Sequence, residues 1–132
     1  MPAAALSPIE NYRSVLTTKY ADFDGRARRA EYWWFTLVNF GVIIGALVVT
    51  VILRAIAAPL GAIAALAYVA VWLGTLVPGI AAAIRRLHDT GKSGWFMLIA
   101  LIPFFGSIIL LVFLFTDGSR ESNAYGPSPK YG

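Results

Sequence analysis

Hydrophobic positions in this chain come in long unbroken runs. Residues 32–53, 55–84 and 95–116 each lack a charged side chain. A helix needs about 20 apolar residues to cross a hydrocarbon core roughly 30 Å thick. The pattern therefore predicts three transmembrane helices, over residues 31–53, 57–84 and 95–116. Residues 8–20 read differently. Ile9, Tyr12, Val15, Leu16 and Tyr20 share one helical face, while Asn11, Arg13, Thr17 and Lys19 lie elsewhere. That stretch is too short and too polar to span, and is predicted to lie along the membrane surface. Ser7-Pro8-Ile9-Glu10 marks its start: serine caps, proline takes the first helical position and glutamate completes a capping box. Residues 117–132 form a polar tail rich in Gly, Ser and Pro, of the composition that stays disordered when taken alone. The predicted fold is an all-α integral membrane protein, one domain over residues 1–132.

Breakers refine the elements. The second run has 30 residues, about 45 Å of helix at 1.5 Å per residue, which is too long for a straight crossing. Pro78 is the expected kink, and Pro103 with Gly106-Ser107 predicts a bend in the third run. Gly91 suits a helix C-cap and Ser93 the next N-cap. Gly41 and Gly45 form a GxxxG pair, and the second run is crowded with Ala57, Ala58, Gly61, Ala62 and Ala65. The first two spans are expected to pack closely there, with Asn39 as an interhelical hydrogen-bonding group. Homodimerisation through Gly41 and Gly45 is the competing use.

Composition agrees with a membrane location: 58% of the residues are hydrophobic and 14% charged, where soluble domains carry about 25% charged. The first residues show no basic region followed by an apolar core, so a cleavable signal peptide is not expected. With no cysteine, disulfides and thiolate chemistry are excluded. The net charge of +4 comes from lysines and arginines that flank the runs, which points to anionic lipid and away from nucleic acid. Eight basic residues lie before the first run or between the second and third, against three in the first loop and tail. By the positive-inside rule the N-terminus and the RRLHDTGKSG loop are expected in the cytoplasm. Three full spans would put the tail outside; a re-entrant third run would return it to the cytoplasm.

The polar chemistry is concentrated in RRLHDTGKSGWF, residues 85–96, and FDGRARRAEYWWF, residues 23–35. A Walker A loop would need glycine where Arg86 stands, so nucleotide binding is excluded. His88 and Asp89 are neighbours that point about 100° apart on a helix, which is no dyad. One histidine without thiols is too little for a metal site. No cofactor is expected. Two readings remain for Arg26, Arg28, Arg29, Arg85, Arg86, His88 and Lys92 with Glu31 and Asp89. They form a structural charge network at the membrane boundary, or a site whose arginine forks clasp a lipid headgroup or another phosphorylated ligand.

Three phrases in order, F-x-G-R-A-R-R-x-E-Y-W-W-F, R-R-L-H-D-T-G-K-S-G-W and N-x-Y-G-P-x-P, resemble the YhaH-like family of small bacterial inner-membrane proteins, domain of unknown function 805. The likeness runs from about Tyr12 to Pro129. It implies a bacterial plasma-membrane location and no activity. It also implies that Asn123, Tyr125, Gly126 and Pro127 make a specific docked turn. The reading that results is a small non-enzymatic membrane protein whose cytoplasmic arginines engage anionic lipid or a protein partner, including another copy. A transporter or channel component and an enzyme acting on a lipid phosphate are the alternatives. The transporter is the weaker for having no ionisable residue at a span centre.

Overall fold

The computed structural model describes residues 5–131; of the opening stretch read for a signal peptide, residues 1–4 lie outside it. The regular elements are all helical: α1 Pro8–Leu16, α2 Arg29–Ile56, α3 Ala58–Asp89, a 3₁₀ segment Gly94–Leu101 and α4 Phe105–Phe115. Among the described residues there is no strand, only an isolated bridge between Asn123 and Gly126.

α1 starts as expected. Ser7 Oγ accepts from Glu10 N at 3.2 Å and Glu10 Oε1 accepts from Ser7 N at 3.1 Å. Glu10's carboxyl is held below its usual range, first by the Ser7 hydroxyl and then by the Ser7 backbone. The helix ends at Leu16, four residues before the expected boundary. Thr17 and Thr18 turn their hydroxyls back onto Arg13 O and Ser14 O, the competition with the helix ladder typical of these residues.

α2 and α3 form a long hairpin, turned through Ala57 alone. Their 28 and 32 residues correspond to about 42 and 48 Å of helix, both more than a bilayer core requires. α3 runs unbroken through Pro78. Proline has no N–H to offer the carbonyl four residues earlier, and here that carbonyl, Gly74 O, accepts from the Tyr20 hydroxyl at 2.8 Å. The segment after α1 thus supplies the donor that Pro78 cannot.

The expected GxxxG seam is not where these helices meet. A Cβ placed on Gly41 or Gly45 would find nothing within 4 Å. The close approach is instead beside the turn, where a Cβ on Gly61 would lie 2.6 Å from Arg54 Cβ and 2.7 Å from its Cα. A one-residue turn forces the backbones together at its own end. Gly61→Ala should therefore lower the unfolding midpoint in detergent, by about 1–3 kcal/mol of overpacking, while Gly45→Ala leaves it unchanged or slightly raised. The reverse order would put the seam back at Gly45. Asn39 does bridge helices: its Oδ1 accepts from Tyr12 Oη at 3.0 Å and its Nδ2 donates to Thr75 Oγ1 at 3.4 Å.

The third apolar run is not a bent span. It reverses. The 3₁₀ segment and α4 are each about 16 Å long, half of a crossing. Between them Phe104 takes φ 67° and ψ −54°, and Phe105 N donates to Pro103 O at 2.8 Å, a γ-turn of the rare positive-φ kind. A Cβ on Gly106 would fall 1.9 Å from Ile99 O, so only glycine lets the two arms pass this closely. Phe96 meets Phe113 edge to face at 5.9 Å, and the Lys92 ammonium lies 4.7 Å from the Phe113 ring centre. Start and end of the run therefore lie side by side.

The packed core occupies one end of the molecule. Ala83, Leu87, Leu110 and Leu114 form one buried cluster, and Val15, Phe35 and Ala82 a second. The remainder of α2 and α3 exposes apolar side chains such as Leu37, Phe40, Ile52, Ile63 and Leu66, a surface far larger than water tolerates on a monomer.

Candidate functional site: the arginine clasp

Three stretches distant in sequence meet at the packed end: residues 22–31, the end of α3, and the tail. α3 closes in a Schellman motif, with Gly91 N on His88 O and Lys92 N on Leu87 O, both at 2.9 Å, and Gly91 at φ 79°. Asp89, 2% exposed, ends the helix and accepts from Arg26 Nε on Oδ1 at 2.9 Å and from Arg86 Nη1 on Oδ2 at 2.7 Å.

Arg26 is the hub. Its side chain is 1% exposed, and its remaining donors reach Glu121 O and Gly126 O from Nη1 and Asp89 O, Ser119 O and Ser119 Oγ from Nη2, at 2.6 to 3.1 Å. Arg86 donates to Leu114 O at 3.0 Å and Ala27 O at 3.2 Å, and its Nη2 reaches Thr116 O. Arg85 donates to Asp22 O at 2.9 Å and pairs with Glu31, whose other oxygen takes Lys19 Nζ at 2.6 Å. Burying three guanidinium groups is tolerable only because carboxylates and carbonyls meet them on nearly every side. The exception is Arg85 Nη2, which is buried without a partner.

The tail motif docks on this structure. Asn123 Nδ2 donates to His88 O at 3.0 Å and Ser119 Oγ at 3.1 Å, and Asn123 Oδ1 accepts from Tyr125 N at 2.8 Å. Ser119 N donates to Asp89 O at 2.9 Å. The tail thereby adds a second donor to each of two carbonyls at the end of α3, His88 O beside Gly91 N and Asp89 O beside Arg26 Nη2. Tyr125 stacks flat on His88, ring centres 3.8 Å apart and 1° between planes, and His88 Nδ1 meets Gly25 O at 2.9 Å. Gly118 passes so near Asp89 that a Cβ would fall 1.9 Å from Oδ2. Further along, Asp117 takes Tyr131 Oη at 2.5 Å and Lys130 Nζ at 3.3 Å. The tyrosine hydrogen bond first, and Lys130 after it, hold the Asp117 carboxyl below its usual range.

The residues singled out in the sequence thus divide. Arg26, Glu31, Arg85, Arg86, His88 and Asp89 are buried and bonded inward. Arg29 is exposed and touches Phe115 O at 3.3 Å and Asp117 at 3.4 Å. Arg28 is the N-cap of α2 and half-buried, and its side chain bonds nothing among the described residues. Lys92 donates to Thr90 Oγ1 and stands apart from the arginines. His88 and Asp89 face different partners, so no acid–base dyad forms. The sequence reading missed Lys19, Asp22, Gly118 and Ser119. Of these only Ser119, four residues before Asn123, sits near a motif that hinted at docking.

The family described as Protein of unknown function (DUF805) matches residues 20–127. Inner membrane protein YhaI of Escherichia coli strain K12 is 46% identical over 121 residues, covering 92% of this chain and 96% of that protein. Inner membrane protein YhaH of the same strain is 41% identical over 121 residues, covering 90% and 95%. No solved structure matches. The first two phrases, and the third as far as Pro127, fall within the matched region, and the chain belongs to the DUF805 family, as a small helical membrane protein.

Proposed function

We propose that the protein is a non-enzymatic inner-membrane module with two full spans, α2 and α3, and a third apolar run that enters and leaves on the cytoplasmic side. α1 lies at that interface. The observation that carries this reading is the sorting of the cations. Arg26, Arg85 and Arg86 spend their donors on the clasp, while Arg13, Arg28, Arg29 and Arg120 ring it with exposed or half-exposed side chains. The far end carries Arg54 as the one charged residue between positions 32 and 84. Such a rim suits anionic headgroups, with the interfacial attraction of about 1 kcal/mol per basic residue near the surface. The buried arginines are structural in this reading, which moves lipid recognition from Arg85 and Arg86 to the rim.

Two measurements test the two halves of the proposal. Single cysteines can be introduced at Ala21, Ala58 and Ser122, all exposed, in a chain with no cysteine of its own. A membrane-impermeant thiol reagent applied to intact cells should label Ala58→Cys and spare the other two until the membrane is opened. Labelling of Ser122→Cys from outside would mean that the third run crosses. For the lipid, Arg13→Gln with Arg28→Gln should lower co-purified phosphatidylglycerol and cardiolipin in native mass spectrometry at unchanged thermal stability. Retained lipid would remove the rim from the account.

A further inference from the structure

A cavity of about 430 Å³ opens between the end of α3, the 3₁₀ segment and the tail. It is lined by Ile84, Trp95, Met97 and Leu98 and by three polar residues, His88, Ser93 and Tyr125. None of the rim arginines lines it, so a ligand held here is independent of lipid bound at the rim. Pockets of 300–1,000 Å³, apolar with a few convergent polar groups, are the usual shape of small-molecule sites.

His88 decides the chemistry. A carbonyl oxygen only accepts, so in the neutral imidazole the bond to Gly25 O places the one proton on Nδ1. Nε2 then carries a lone pair. It has no partner among the described residues and yet is not among the sealed unpartnered atoms, so it reaches open space, and the cavity is the space its side chain lines. Stacking on Tyr125 fixes the ring plane, and with all but 7% of the residue buried the cavity is the side from which a donor can approach the lone pair. Ser93 Oγ already accepts from Trp95 N at 3.3 Å and keeps its own O–H to give. No carboxylate lines the cavity to balance a cationic head, and a bare anion would face the lone pair. We infer that the cavity binds a long-chain carboxylic acid. The acid O–H engages Nε2, one proton shared between oxygen and nitrogen, Ser93 donates to the acid's second oxygen, and the chain lies along Ile84, Trp95, Met97 and Leu98. A long-chain alcohol has the O–H and lacks the second oxygen.

His88 is the only histidine in the chain, so imidazole ¹⁵N labelling gives one pair of ring signals. In dodecyl maltoside, oleic acid should move the Nε2 signal saturably while Nδ1 stays nearly fixed. Oleyl alcohol should need about tenfold more for half the effect, one charge-assisted hydrogen bond being worth about that factor. Leu98→Trp, which fills the cavity without touching the Gly25 or Tyr125 partners, should abolish the response at an unchanged Nδ1 signal. An unresponsive Nε2 in the unmodified protein at saturating oleic acid overturns the site. So does an unchanged titration in folded Leu98→Trp, and equal response to acid and alcohol overturns the assignment of the acid.

Discussion

Asp89→Asn is expected to cost about 3–5 kcal/mol of unfolding free energy, the usual result of removing one partner from a desolvated ion network. The substitution keeps the size of the side chain and removes its charge, leaving Arg26 and Arg86, both almost wholly inaccessible, with no carboxylate to balance them. The amide also turns one acceptor into a donor aimed at a guanidinium. Asp117→Asn is the matched control, because Asp117 is more than a third exposed and its pairs with Arg29 and Lys130 are surface pairs, worth about 0–1 kcal/mol. Unfolding in mixed micelles, followed by circular dichroism, compares the two. Equal and small effects would show that water reaches the clasp and that its arginines are boundary decoration.

Arg26→Lys separates charge from shape. Lysine keeps the positive charge beside Asp89, but one ammonium nitrogen cannot reach Asp89 Oδ1 together with the carbonyls of Ser119, Glu121 and Gly126, which the arginine fork spans at once. Losing several charge-assisted bonds to the tail is expected to cost on the order of 3 kcal/mol, and most of it should appear as release of the tail. Arg120 is exposed on that tail and offers a trypsin site. Cleavage that follows the opened population should accelerate by at least about tenfold, with the helical signal of α2 and α3 intact. A cleavage rate that does not change would mean that Asn123 and Tyr125 hold the tail without Arg26.

Elements carried by local signals were legible in the sequence: the capping box at Ser7, the glycine cap at Gly91, the serine cap at Ser93 and the two long helices. The tail's docking was legible as a fact without a destination, since a motif shows that a turn is specific and not what it binds. Two things were not legible. A continuous span and a hairpin of two short arms present the same unbroken apolar run, and the difference rests on one turn at Phe104 and the room made by Gly106. Nor does charge reveal its direction. Arg26 and Arg28 stand two residues apart in the same phrase, yet one has its side chain 1% exposed and the other caps α2 without a bond of its own. Which arginine turns inward depends on carbonyls supplied some 95 residues later. The glycines show the same limit: Gly41 with Gly45 matched the better-known pattern, and a one-residue turn placed the contact at Gly61.

Arg26 precedes the first span, while three of the four carbonyls it holds, those of Ser119, Glu121 and Gly126, follow the third apolar run. A chain still being synthesised thus has its helices before it has the tail that docks on the end of α3. Until Ser119 and Asn123 emerge, the guanidinium of Arg26 and the backbone carbonyls of His88 and Asp89 lack the partners the tail provides. The clasp therefore registers completion: a truncated copy carries the same membrane segments but leaves donors of Arg26 unmet, a difference that cellular quality control can read.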